Sequence, residues 1–386
     1  MKSFDVIVVG AGIAGASAAF FLAGAGHKVA LVEKSRPASG PTGRSSAVTH
    51  AFYLQPELSQ LAIRGVDILR RIPELTGEAK MHHEIGMLWA CGPDAAADWR
   101  AASARIRGEG STIEDLSPAD MAKLAPGLNL DGIALGLWEP DYGYADAHGA
   151  CNAIAKGAKD RGCHMFLDTE VVRLVVDNGR IEGVETHNHG RLAASRVIVA
   201  AGVWTKPLLA AIGCNLPIHV ERHEMAVLEG SGRAKQYLPF AWCDDTMCSY
   251  ARPDGDRVIL AGTWAGGGTG IRNQALKRPE AIQTPDTYKE GVEESESIDI
   301  LGHLFPRLPA LQELGLRPGY AGLYDMSPDD NPIIDQVPGV EGLVVVCGSS
   351  GHGFKIGPAV GEQAARLAMT GAAPLVQPFS LNRFAA

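Results

Sequence analysis

Long unbroken hydrophobic runs, basic runs and paired cysteines are all missing from this chain of 386 residues. No apolar stretch reaches the ~20 residues of a membrane helix without interruption by glycine, so no transmembrane segment is expected. Residues 6–26 are mostly apolar, yet three spaced glycines interrupt them, with Lys2 before them and Asp5 at their edge. That is not the build of a secretory signal. The formal net charge of −9, with no basic run, argues against nucleic acid as a partner. The seven cysteines are odd in number and scattered, and none forms a Cys-x-x-Cys pair. Neither a disulfide framework nor a metal site is expected, and the chain is read as a reduced, cytoplasmic protein. Repeats and low-complexity tracts are absent as well.

What is present is an ordinary globular composition, 46% hydrophobic and 20% charged, with 46 glycines. The length suggests two to three domains' worth of core, and the glycine count suits close backbone approach to a bulky ligand. Residues 5–9 read as an apolar strand, followed by Gly10-Ala11-Gly12-Ile13-Ala14-Gly15, a small-residue helix, and a second strand over 28–32 that ends in Glu33. This is a βαβ dinucleotide fingerprint in its full context. Gly10 permits the tight turn, Gly12 admits a pyrophosphate, Gly15 allows close helix–strand packing, and the acid at Glu33 suits ribose hydroxyls. The helix start, including Ile13 and Ala14, offers free N–H groups to phosphate. NAD and FAD both remain open at this point.

A turn-rich loop begins at Lys34 and carries Thr42-Gly43-Arg44-Ser45-Ser46, which could present donors and one cation to phosphates or a ring system. Apolar spacing predicts a helix over 56–71, a strand over 84–91, a helix over 94–107, a short helix opened by Ser117-Pro118, and a strand over 132–138. Residues 141–146 read as a turn whose Asp146 caps a helix to 160. Strands follow over 163–167, 170–176 and 181–185, the last two joined by an Asn178-Gly179 hairpin turn. A buried strand over 196–202 ends in Ala200-Ala201-Gly202, with Trp204 and a helix from about Lys206 beyond it.

From 217 to about 316 a second sheet domain is inserted, with strands over 218–228, 247–252 and 257–262 and a polar tract over 266–296 of loop, then helix. The end of the chain returns to the nucleotide style. A strand over 342–347 is followed by Gly348-Ser349-Ser350-Gly351-His352-Gly353-Phe354-Lys355 and a helix from about 357 to 369. Two glycine-rich strand-to-helix turns over 300 residues apart suit a long ligand, and FAD fits that better than NAD.

The fingerprint with Glu33, the Thr42–Ser45 loop, Ala200-Ala201-Gly202, the segment Gly322-Leu323-Tyr324-Asp325-Met326-Ser327-Pro328-Asp329, and Gly351-His352-Gly353-Phe354-Lys355-Ile356-Gly357 occur in this order. Together they resemble the glycine oxidase, sarcosine oxidase and D-amino-acid oxidase superfamily of FAD-dependent amine oxidoreductases, nearest the sarcosine oxidase branch. The resemblance implies an α/β fold with an α+β insertion: a discontinuous Rossmann-like FAD-binding domain (1–80, 141–215 and 319–386) and a mixed-sheet substrate domain (81–140 and 216–318). It implies hydride transfer from an amine's α carbon to flavin N5, giving an imine that water hydrolyses. It also places Gly10, Gly12 and Gly15 at the pyrophosphate, Glu33 at the ribose, Arg44 and Ser45 along the pyrophosphate and flavin, and Val172 at the adenine. Gly351, Gly353 and Phe354, with His352 between them, approach the flavin, and Lys355 reaches the substrate carboxylate.

The departures are as informative. Gly322 stands where the sarcosine oxidase pattern has a flavin-tethering cysteine, which implies non-covalent FAD. Tyr324 stands where glycine and D-amino-acid oxidases carry a carboxylate-gripping arginine, and Thr49 replaces a second arginine before His50. Arg252 or Arg222 is the candidate replacement cation, and His50, His223, Tyr250 and Trp264 are candidate pocket walls. Sarcosine oxidases carry an oxygen-activating lysine on a substrate-domain strand, and no lysine lies between Lys235 and Lys277, which counts against an oxidase half-reaction and leaves O2 or a redox carrier as the electron acceptor. The partner is read as a small amine or amino acid, with a homo-oligomer or a partner subunit left open. Two rivals remain: an FAD-dependent hydroxy-acid or alcohol oxidoreductase, and a flavoprotein subunit whose partner carries the chemistry. Gly322 generates a direct test. Acid denaturation of the yellow protein releases its flavin into the supernatant, whereas yellow colour retained by the precipitate would contradict the non-covalent assignment.

Overall fold

The apolar runs from the two ends of the chain meet in one sheet. The computed structural model describes residues 2–264 and 281–384, in a mixed α/β architecture. Among the described residues, six strands form the nucleotide-type sheet, in the spatial order His164–Phe166, Val29–Val32, Val6–Val9, Val197–Val199, Leu343–Cys347, Ile333–Gln336. The first five run parallel and the last is antiparallel at the edge. Val6–Val9, Val29–Val32 and Leu343–Cys347 are buried at every position, as strands covered on both faces must be.

Alternation divides their side chains between two cores. Val6, Val8, Leu31, Val344 and Val346 pack against the helices Ile13–Gly24, Pro56–Arg70, Ala147–Asp160 and Gly353–Thr370. Ile7, Val9, Val32, Val199 and Val345 face Leu174, Ile181, Val184 and Leu192 of a four-stranded sheet. That sheet contains the expected hairpin, with Asn178 and Gly179 both at positive φ in its turn.

A nine-stranded sheet forms the second layer system. Its two sequence pieces join where Met87–Cys91 pairs in parallel with Ala241–Asp244. Its longest pairing sets His219–Glu229 antiparallel to Gly315–Met326, with Glu221 opposite Tyr324. The latter strand carries the chain back to the nucleotide sheet.

Four local expectations are corrected. The strand over 84–91 is two, His82–Glu84 and Met87–Cys91, broken at Gly86, which has φ 83°. The turn over 141–146 contains a strand, Gly143–Ala145, because Val48–Thr49 and His82–Glu84 flank it with free edges. The last long helix begins at Gly353 rather than near 357, so Pro358 lies inside it and Lys355 sits in its first turn. The polar tract over 266–296 lies partly outside the described residues. Its described remainder holds the strand Gly291–Val292 and the helix Glu294–Leu304, opened by a capping box between Glu293 and Glu296.

Helices over the nucleotide sheet touch through glycine. A Cβ on Gly65 would overlap the Lys355 carbonyl, and one on Gly361 would overlap that of Ala14. Gly65→Ala therefore forces apart the helix pair that carries Lys355. It is expected to lower stability by about 1–3 kcal/mol, read as a reduced urea midpoint. An unchanged midpoint would contradict this packing.

Candidate active site

The carboxyl ends of the parallel strands open into a cleft of about 670 Å³, where open α/β sheets hold their ligands. Gly10, at φ 97°, turns so tightly there that a Cβ would overlap the Ala200 carbonyl. The helix Ile13–Gly24 follows, and Gly12 supplies no capping side chain. Thr42 Oγ1 accepts from Ile13 N at 3.2 Å, while Ala14, which lines the cleft, has no side-chain acceptor for its N–H among the described residues. That donor and the helix dipole suit a pyrophosphate. Glu33 Oε2 accepts from Ala11 N at 2.8 Å and Oε1 from Ser35 N at 2.9 Å, so its carboxylate is held at the cleft wall.

The rest of the wall continues from that point. Lys34 Nζ lies 3.7 Å over the Trp204 ring, and both meet Asp286 Oδ1. Arg44 donates to Ser39 O at 2.8 Å and to Glu290 at 2.5 Å. Val172, Ala200, Ala201, Gly202 and Ser45 line the same cleft, as do Gly322, Gly351, Gly353 and Phe354 at its other end. A long cleft with a tight glycine turn, exposed helix N–H groups and a ribose-type acid fits FAD.

Tyr324, Ser45, Gly351 and Phe354 also line a second cavity of about 290 Å³, which shares this wall with the cleft. Aromatic rings dominate it: Phe52, Trp89, Tyr250, Trp264 and Tyr324. Lys355 is its one lysine or arginine among the described residues. Lys355 Nζ donates to Tyr53 OH at 3.1 Å, and that hydroxyl also pairs with His352 Nδ1 at 3.1 Å. Burial lowers the Lys355 pKa to about 8, with Cys243 and Glu139 pulling the other way. Burial, then the Lys355 charge, lowers His352 to about 3 and holds His50 well below its ordinary value.

Behind this group lies Glu139, fully buried at the end of the strand Leu135–Glu139. Its Oε1 accepts from Ala51 N at 2.7 Å and Phe52 N at 3.1 Å, and its Oε2 accepts from Trp89 Nε1 at 2.8 Å. It thereby shapes the loop that presents His50 and Tyr53. Burial raises its pKa to about 7 against the three donors and the Lys355 charge.

Several expected residues fall elsewhere. Arg252 does not line the cavity: its guanidinium donates to Ser46 O, Pro253 O and Asp254 and stacks over Tyr144. Arg222 is likewise tied to Glu224, Glu296 and the carbonyls of Lys289 and Gly291. Neither guanidinium lines the cavity. Gly15 lies behind the cleft wall against the Gly10 carbonyl, and Gly43 faces His148 and Ala38. Ser46, His352 and Lys355 belong to the smaller cavity, as do His50, Tyr250, His223 and Trp264. Sequence reasoning passed over Tyr53, Glu139 and Glu221. Only the last had a local signal, the His219-x-Glu221-x-His223 alternation that sets three polar groups on one strand face.

The family model described as FAD dependent oxidoreductase matches residues 5–367. N-methyl-L-tryptophan oxidase of Yersinia pestis (strain Pestoides F) is 27% identical over 389 residues, covering 99% of each chain. The crystal structure of L-proline dehydrogenase from P. horikoshii superposes with a TM-score of 0.86 at 24% identity, over 100% of this chain and 98% of that one. Glycine oxidase from Geobacillus kaustophilus gives 0.79 at 23% identity, over 99% of both. At such identities the structural likeness speaks for the fold alone.

The cleft's far end depends on Asp325, whose Oδ2 accepts from Gly348 N at 2.7 Å and Oδ1 from Ser349 N at 3.1 Å. Asp325→Ala leaves both donors unpaired, at about 1–3 kcal/mol each. The expected result is at least a tenfold rise in the FAD dissociation constant, measured by flavin release on dilution. Unchanged retention would show that this clamp does not shape the cleft.

Proposed function

The chain belongs to the FAD dependent oxidoreductase family, and on that premise we propose that it oxidises the C–N bond of an amino acid or N-substituted amino acid to an imine, which water then hydrolyses. One observation carries the choice of substrate: a single buried ammonium, Lys355, in an aromatic cavity that shares a wall with the nucleotide cleft. Its charge suits a carboxylate, and the rings around it suit an apolar body. The relative named for N-methyl-L-tryptophan supports the same class.

Bound FAD supplies the acceptor for hydride leaving the substrate's α carbon. The chain's own residues bind and orient. Gly10, Gly12 and the helix start face the pyrophosphate, Glu33 the ribose, Val172 the adenine, and Gly351, Gly353 and Phe354 the ring system. Lys355 takes the substrate carboxylate and so fixes the α carbon near the shared wall. Tyr324 separates the two spaces, and Gly322 leaves the flavin untethered. In this reading the six-stranded sheet belongs to the cofactor domain, assembled from three chain segments, and the nine-stranded sheet to the substrate domain. We place the protein in a reducing, cytoplasmic setting, where the thiol is the ordinary state of cysteine. No helix among the described residues is long and apolar enough to cross a membrane.

An anaerobic screen tests the proposal. Amino acids or secondary amines that bleach the bound flavin support it. Bleaching by hydroxy acids alone would replace it with the alcohol reading, and bleaching only after a partner is added would favour a subunit role. Lys355→Met is expected to raise KM for a carboxylate substrate about 30-fold or more. The wild-type pH dependence has a definite sign. Lys355 is protonated below about 8, so KM is lowest there and rises as pH passes through that value. A pH-independent KM, or one unaffected by Lys355→Met, contradicts the anchoring role.

A further inference from the structure

A second polar group in the cavity is built on the strand His219–Glu229. His219, Glu221 and His223 alternate along it, so their side chains share one face, and all three line the cavity. Glu221 Oε1 lies 2.7 Å from His219 Nε2, and Oε2 lies 3.2 Å from His223 Nε2. The His219 side chain is 51% exposed and that of His223 only 14%, so His223 is the inner imidazole. Its ring stacks on Tyr324 at 3.9 Å and 20°, and Tyr324 belongs to the walls of both cleft and cavity.

A carboxylate can only accept, so Nε2 of His223 carries the hydrogen that Glu221 receives. In the neutral ring this leaves Nδ1 as a bare acceptor. Among the described residues no group donates to it. An amino acid's nitrogen arrives as an ammonium, and hydride can leave the α carbon only after that nitrogen regains its lone pair.

Other candidates for taking the proton are poorly placed. Lys355 is itself a cation below about pH 8. His50 donates Nδ1–H to Phe52 O, but burial and the Lys355 charge both oppose a second positive charge there. His352 lies under the same charge. His223 differs because a carboxylate, not a cation, stands against it, with Glu221 Oε2 3.2 Å from its Nε2 and Nδ1 left on the other side of the ring. Although burial pushes the Glu221 carboxyl up, hydrogen bonds from His223 and His219 hold it below its ordinary value, so it is ionised when needed.

We infer that His223, oriented by Glu221, accepts the proton of the substrate ammonium at Nδ1. This rests on the amine-oxidising function proposed above and adds its missing base. The N–H bond of the ammonium breaks, an Nδ1–H bond forms, and the freed lone pair would become the second C–N bond of a protonated imine as the α-carbon hydride leaves, for which FAD held in the cleft would supply the acceptor. His223 is then a catalytic residue and Glu221 its positioning residue. The titratable groups around the ring are Glu221 and His219 on its own strand and Tyr324 on the neighbouring one, and elsewhere on the cavity wall stand His50, Tyr53, Cys243, Tyr250, Asp330, His352 and Lys355.

The test follows anaerobic flavin bleaching by an N-methyl amino acid across pH, in the FAD-loaded wild type, His223→Gln and Glu221→Gln. His223→Gln is expected to bleach about 100-fold more slowly near neutrality. The deficit should shrink as pH approaches the amine's own pKa, because substrate then arrives already neutral. Glu221→Gln should show a smaller loss with the same recovery. It carries the test by that criterion if His223→Gln fails to hold flavin. A wild-type rate in His223→Gln, or a loss that does not recover with pH, overturns the inference while leaving the amine-oxidising function intact. A wild type bleached by no amine overturns both.

Discussion

Burying an ammonium group without a counter-ion costs several kcal/mol, and Lys355 sits in that position with Tyr53 as its hydrogen-bond partner among the described residues. The surrounding structure makes this tolerable without neutralising it. Glu139 lies behind the loop that carries Tyr53, and each charge steadies the other's ionised form. Both groups are drawn toward neutrality by burial, and both end near the physiological range. A cation left in that condition is best satisfied by an anion that enters the cavity. The choice of a carboxylate substrate follows from that imbalance.

Three carboxylates perform a common structural task around the two spaces. Glu33 holds Ala11 N and Ser35 N, Glu139 holds Ala51 N and Phe52 N, and Asp325 holds Gly348 N and Ser349 N. Each supports backbone that leaves a regular element and has no ladder partner of its own. Backbone donors that leave water must be matched, and a carboxyl group, with two oxygens, matches two at once. The cleft and cavity therefore have walls set by side-chain acceptors, and the Asp325 clamp joins the long strand Gly315–Met326 of one sheet to the last turn of the other.

What was legible in the sequence was local. The fingerprint at Gly10–Gly15 with Glu33 reads directly because strand, turn, helix and strand are consecutive, and buried parallel strands appear as continuous apolar runs. The resemblance pointed to Lys355, and the structure lines the cavity with it, although a lysine at a helix start opposes the dipole. Arg252 and Arg222 show where this stops. Alternation says that a strand residue faces one side or the other, but not which side holds the cavity. Both guanidiniums turned out to lie off the cavity, held by carbonyls and carboxylates. Glu139 anchors the loop that carries Tyr53 from 86 residues away in sequence, and no periodicity links the two. The strand Gly143–Ala145 was hidden for the same reason: its partners come from 48–49 and 82–84.

The central claim is that a substrate carboxylate rests on Lys355, which brings the α carbon to the wall shared with the nucleotide cleft. A crystal structure of the FAD-loaded protein with a non-oxidisable substituted acetate tests it most directly. The account predicts a carboxylate oxygen within hydrogen-bond distance of Lys355 Nζ, with the substituent among Trp89, Tyr250 and Tyr324. A carboxylate bound at Arg44 or elsewhere, with Lys355 still paired only to Tyr53, would contradict it.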